Sequence, residues 1–230
     1  MCVNFTPIYP SALQRITRNT TLPPYPPETF PGYAAPILRA EGVALHADDP
    51  ADLRADLRAD LAAFGLIPAW SKDRTIGRRT YNARSETVAH KPSYRIAWRQ
   101  SQFCLVPMTQ FYEPCWDTGK AVRWRIFRQD NAPFAVAAIW DSWTDRETGE
   151  IVESFSMLTI NADGHPVMGR FHRPTDERRS LVVVSPDDWQ QWLSATPATA
   201  IKLMLPMPAD QFTAEPAQQP QRPEAQATLI

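Results

Sequence analysis

The chain carries no excess charge of either sign: 24 Lys and Arg stand against 25 Asp and Glu in 230 residues. A net charge of −1 gives no overall pull toward nucleic acid or an anionic membrane, so contact with a polyanion has to come from a local basic patch. Cysteine is scarce. Cys2, Cys104 and Cys115 are odd in number and show neither a CxxC pair nor a Cys/His metal spacing. That pattern speaks against a disulfide framework and against a zinc site. No run approaches 18 consecutive apolar residues, and no charged-then-apolar leader opens the chain. These absences describe a protein expected in the reducing cytoplasm, with no membrane segment, no metal and no cofactor.

What is present is enough for one globular domain with a sizeable core: 43% hydrophobic residues, with eight Trp and ten Phe among them. Prolines cluster over residues 22–36, which reads as an extended loop laid over the body. Residues 51–62 repeat Ala-Asp-Leu-Arg, placing Leu53, Leu57 and Leu61 every fourth residue; a solvated helix or an expanded loop is expected there. Apolar or alternating runs at 103–106 (closed by Pro107), 122–127, 134–140, 155–160 and 181–184 predict strands. Residues 85–100 have helical composition broken at Pro92. Ser185-Pro186-Asp187-Asp188-Trp189 predicts a helix capped by its serine. From about residue 206 the composition turns to Pro, Ala and Gln, which predicts one domain over 2–205 and a disordered tail over 206–230. Many strands, few helices and no regular alternation give an α+β, mainly β class.

The second residue carries the most chemistry. Removal of Met1 would leave Cys2 with a free α-amine and a thiol on neighbouring carbons. Such a 1,2-aminothiol condenses with an aldehyde through nitrogen and closes a thiazolidine ring through sulfur. An α-amine, with a pKa of about 7.7–8.0, is far more often free base at neutral pH than a lysine. Taken alone, Cys2 is more often an ordinary small residue near a frayed terminus.

Four other segments stand out. Gly65-Leu66-Ile67-Pro68-Ala69-Trp70 reads as a strand leaving through a turn. Asn82 and Arg84 point the same way if the chain is extended there, or cap a following helix; both readings stay open. Glu113 follows two aromatics and precedes a proline, a setting that raises a carboxyl pKa, although a surface glutamate in a turn is the commoner case. His172 lies between Arg170 and Arg173, in a run that more often reads as an exposed basic loop.

In this order, Met1-Cys2, Gly-Leu-Ile-Pro-x-Trp, Asn-Ala-Arg-x-Glu, Phe-Tyr-Glu and a late Phe-His-x-Pro resemble the SOS-response-associated peptidase (SRAP) family. The resemblance runs from residue 2 to about 193. It implies a compact fold of antiparallel strands in a barrel-like body, with a few flanking helices and a cleft over the terminal cysteine. It also implies binding of single-stranded DNA and covalent cross-linking to abasic sites, whose open form is an aldehyde. Cys2 would then be the nucleophile, Asn82 its orienting amide, Glu113 a proton shuttle and His172 an aid to ring opening. Arg84 would grip phosphate. Leu66, Ile67, Pro68 and Trp70 would form an apolar wall for unstacked bases. The protein would act as a monomer near the nucleoid, with self-removal of any residue before Cys2. The same residues leave open a cysteine peptidase or autopeptidase, or a non-covalent single-strand binder.

Three departures from the family pattern matter. Val3-Asn4 stands where Gly-Arg is common. Pro114-Cys115-Trp116 puts Trp116 two residues late after Glu113. After His172 the chain runs Arg173-Pro174-Thr175-Asp176-Glu177-Arg178-Arg179, so the family's DNA-contacting arginine corresponds to either Arg178 or Arg179.

Overall fold

The computed structural model describes residues 2–17, 21–40, 57–173 and 175–219. Its centre is β5 (Phe103–Cys115), thirteen residues long. Pro107 does not end this strand as its sequence suggested. Instead β5 changes partners there: residues 103–108 pair antiparallel with β7 (Phe134–Thr144), and residues 110–115 pair with β6 (Val122–Arg128). The amino-terminal strand β1 (Asn4–Pro7) lies along the other edge of the second half, with Asn4 opposite Tyr112. That register brings the chain's beginning alongside Glu113.

β7 continues to β8 (Ile151–Asn161), and β8 runs parallel to both β3 (Leu57–Phe64) and β4 (Asn82–Arg84). β3 pairs with β2 (Ala34–Ala40), and β2 returns to β5 through Leu38 and Leu105. The pairings therefore run β5–β7–β8–β3–β2 and back to β5, within a mixed sheet of eleven strands. The short strands β9 (Arg179–Leu181) and β10 (Val183–Val184) pair with β8 and β7. The four described α-helices are short, none exceeding seven residues: α1 (Pro10–Ile16), α2 (Arg95–Arg99), α3 (Trp189–Leu193) and α4 (Pro197–Leu203). No helix among the described residues is long and apolar enough to cross a membrane. The mainly β α+β class holds.

Several expectations give way. In the Ala-Asp-Leu-Arg repeat, residues 57–62 belong to β3, while 51–56 lie outside the described residues. A spacing of four places side chains on one face of a strand as well as of a helix. Leu57 and Ala59 are buried between exposed or half-exposed Arg58 and Asp60, and Arg39 of β2 pairs with Asp60 across the ladder. Ser185 makes no capping bond, and Pro186–Asp188 forms a 3₁₀ turn leading into α3. The capping box lies at α4, where the Thr196 hydroxyl accepts from the Thr199 N–H and the Thr199 hydroxyl accepts from the Thr196 N–H. The stretch read as a tail contains β11 (Phe212–Pro216), which pairs with β6 and buries Phe212 against Phe134 at 5.0 Å; residues 220–230 lie outside the described residues.

The core beneath the amino terminus is aromatic. Phe64 meets Phe5 edge-on at 5.3 Å, stacks on Phe155 at 5.3 Å and touches Tyr81 at 5.6 Å. Gly65 follows with φ +122°, and a Cβ there would sit 2.1 Å from the Gly77 carbonyl oxygen, so only glycine lets the chain turn at this point.

Candidate active site

Cys2 is 1% exposed and packs in the same core cluster as Phe5, Phe64, Cys115 and Phe171. Its thiol donates to the Asn4 carbonyl at 3.3 Å. Burial, reinforced by the nearby Glu113 carboxylate, pushes the Cys2 thiol far above its usual range, so sulfur stays protonated at neutral pH.

Asn82 reaches Cys2 from β4. Its Nδ2 donates to the Cys2 carbonyl at 2.7 Å, while its own carbonyl accepts from the Tyr94 hydroxyl at 3.1 Å. The parallel pairing of Asn82 with Met157 holds the side chain in place. The extended reading of residues 82–84 is therefore the correct one, and no helix is capped there.

Glu113 is buried on β5, and burial raises its carboxyl pKa. Positive charge at the chain's amino end and on His172 pulls the other way. His172 is also buried, with Nδ1 3.5 Å from Glu113 Oε2 and Nε2 3.2 Å from the Arg179 carbonyl. A carbonyl only accepts, so Nε2 carries a hydrogen and Nδ1 is left to face the carboxyl group. His172 adopts φ +72°, a conformation costly for a non-glycine residue, and its backbone N–H donates to the Pro114 carbonyl at 3.1 Å. This local strain turns the imidazole back toward β5 instead of out to solvent, so the exposed-loop reading of His172 does not hold. Cys2, Asn82, Glu113 and His172 thus arrive from four separate parts of the chain.

Tyr81 joins this group unannounced. Burial raises its phenol pKa, and Cys2 and Glu113 raise it further, which places its ring within their electrostatic reach.

The predicted DNA contacts fare unevenly. Leu66, Ile67 and Pro68 are buried and cannot offer a face to bases. Their backbone is needed elsewhere: Leu66 N–H donates to the Thr80 carbonyl at 3.3 Å and Ile67 N–H donates to Ser154 Oγ at 2.8 Å. The expected wall contracts to Trp70, 47% exposed, whose Nε1 donates to the Pro92 carbonyl at 3.2 Å. Asp141 fixes this turn by accepting from the Ala69 N–H at 3.2 Å.

Arg179 is a structural residue. Its side chain is 2% exposed and is held by Glu86 at 2.9 Å through both carboxylate oxygens, by Glu177 at 2.7 Å and by the Thr159 carbonyl at 2.6 Å. It has no freedom to meet a phosphate. Arg178 is more open and donates from Nε to the Gly169 carbonyl at 2.6 Å. Glu86, the last residue of Asn-Ala-Arg-x-Glu, finds its purpose in clamping Arg179; its spacing from Arg84 was the only trace of this in the sequence. Arg84 itself is half exposed and pairs with Glu177 at 2.7 Å. Trp116 is half-buried beyond the end of β5, with the Arg173 guanidinium 5.2 Å from its ring. Asn4, where an arginine is common, is buried and donates to Glu28, which also accepts from Arg123.

Residues 8–220 match the profile of the SOS response associated peptidase (SRAP) family. The chain belongs to this family. Among curated relatives, it is 30% identical over 157 residues to the abasic site processing protein YoaM of Bacillus subtilis (strain 168), covering 66% of this chain and 64% of that one. It is 31% identical over 157 residues to YobE of the same organism, covering 66% and 67%. The chain thus spans somewhat under two thirds of the YoaM length. A crystal structure of a Bordetella bronchiseptica protein superimposes with a TM-score of 0.83 at 28% identity, covering 95% of this chain and all of that one. A Bacteroides thetaiotaomicron protein shares the SRAP member's fold alone, with a TM-score of 0.73 at 20% identity over 94% of this chain and 92% of that one.

Proposed function

We propose that this SRAP protein binds single-stranded DNA and joins covalently to abasic sites through a thiazolidine built on Cys2. The observation that carries the reading is the convergence of Asn82, Glu113 and His172 on the buried Cys2. The names of the Bacillus relatives support the substrate.

The chemistry follows from these groups. With Met1 removed, the Cys2 amine attacks the C1′ aldehyde of the ring-opened sugar. Glu113, whose carboxyl pKa burial raises, donates a proton to the departing oxygen, and one water leaves as the C=N bond forms. The thiol then adds across that bond, sulfur to carbon and its hydrogen to nitrogen. Asn82 holds the Cys2 carbonyl, so nitrogen and sulfur reach the same carbon. His172 exchanges the proton that Glu113 gives up.

A peptidase acting in trans is a poorer fit, because cysteine proteases use a thiolate of lowered pKa and the Cys2 thiol is shifted the other way. Denaturing electrophoresis with an abasic oligonucleotide tests the proposal. The wild type should give a stable adduct and Cys2→Ala none. Cys2→Ser, which keeps the amine but loses sulfur, should give an adduct only after borohydride trapping. A stable adduct in Cys2→Ala would reject the reading.

A further inference from the structure

The Glu177 carboxylate sits where an incoming anion would have to go. Oε2 accepts from Arg84 Nη1 at 2.7 Å, and Oε1 accepts from Arg179 Nη1 at 2.7 Å and from Asn161 Nδ2 at 3.4 Å. Two oxygens of one anion thus bridge two guanidinium groups, the arrangement that a phosphodiester makes with a pair of arginines. The two arginines differ in what they need. Arg179 keeps Glu86 and the Thr159 carbonyl whether or not Glu177 stays. Arg84 is half exposed, and its guanidinium pairs with Glu177. Glu177 itself is about one third exposed, so an anion from solvent can reach and replace it. Its own pKa is lowered, by Arg179 above all, so it is a full negative charge at neutral pH.

We propose that Glu177 is an internal competitor for the DNA phosphate at Arg84, setting how tightly and with what salt dependence this protein holds a single strand. The proposal rests on the reading of Arg84 as a phosphate contact. To bind, a phosphate takes Arg84 while Glu177 gives it up and remains nearby as a second negative charge. The exchange opposes binding twice, through the lost ion pair and through repulsion. It also alters the ion count. Arg84 is already neutralised by Glu177, so net cation release falls by up to about 0.7, the single-strand share of one phosphate contact, compared with a free arginine.

The test measures binding of a fluorescently labelled single-stranded oligonucleotide without abasic sites, by anisotropy, over a salt titration. Glu177→Gln and Glu177→Ala should each bind about three- to tenfold tighter at low salt. The slope of log K against log salt should steepen by about 0.7. In an Arg84→Gln background, Glu177→Gln should change affinity by less than about twofold, because the contested cation is gone. Equal affinity and equal slope in wild type and both single variants, in protein that still forms the abasic adduct, would overturn the competitor role and leave the proposed function standing. Loss of single-strand binding in every variant and the wild type would overturn both. Tighter binding by the variants without any abasic adduct would uphold the competitor role and remove the cross-linking reading.

Discussion

Replacing Asn82 by alanine isolates the contact proposed to position Cys2 as the nucleophile. Asn82 is 8% exposed, and its Nδ2 donates to the Cys2 carbonyl at 2.7 Å. Once Met1 is removed, Cys2 is the first residue, so that hydrogen bond fixes one side of the very group that reacts. Alanine leaves a buried carbonyl without its donor, which costs about 1–3 kcal/mol. If the terminus answers by leaving the reactive pose, the cost appears in the rate. At about 1.4 kcal/mol per factor of ten, adduct formation should slow by about 5- to 150-fold. The assay is the initial rate of adduct formation on denaturing gels, measured beside the denaturant midpoint of each protein. Asn82→Asp should be at least as slow, since its carboxylate repels the carbonyl it faces. A lowered midpoint with an unchanged rate would refute the argument and leave Asn82 as a packing residue only.

Glu113→Gln should flatten the pH dependence of stability. Burial raises the Glu113 pKa, so its stabilising share is complete below the usual carboxylate value and is lost as pH rises through the folded value; parallel denaturant curves for wild type and variant across that window would contradict the shift. Gly65→Ala should destabilise by about 3 kcal/mol or more, because its φ of +122° and the Gly77 carbonyl both resist a Cβ, and a midpoint within about 1 kcal/mol of wild type would show that the turn can relax. Trp70→Ala should weaken binding of single strands by the worth of one stacked base, about 1–3 kcal/mol, with little change in stability; anisotropy with unmodified oligonucleotide measures it.

The grouping of the candidate site was more legible than its frame. Taken singly, Cys2, Asn82, Glu113 and His172 read as ordinary structural residues; the order of their motifs, which resembles the SRAP family, singled them out, and the fold brings them together. The DNA-facing surface was less legible, because exposure is a property of the fold. Leu66 and Ile67 look the same in sequence whether they face a base or the core, and only the fold, which leaves both fully buried, distinguishes the two. Arg178 and Arg179 are identical neighbours in sequence, but Arg179 opens β9, where all three residues are buried and Glu86 and Glu177 hold its guanidinium, while Arg178 lies just before the strand. The repeat at 57–62 misled because a spacing of four is shared by helix and strand. β11 was missed because its five residues, Phe212–Pro216, carry one buried anchor in a Pro- and Ala-rich setting.

The central claim is that the reacting atoms are the amine and the sulfur of Cys2 together. Mass spectrometry of the peptide recovered from the abasic adduct tests it most directly. The expected peptide begins at Cys2, with Met1 gone, and carries the sugar remnant less one water, with its thiol no longer open to alkylation. An adduct on a peptide that retains Met1, on a lysine, or with the Cys2 thiol still free would contradict it.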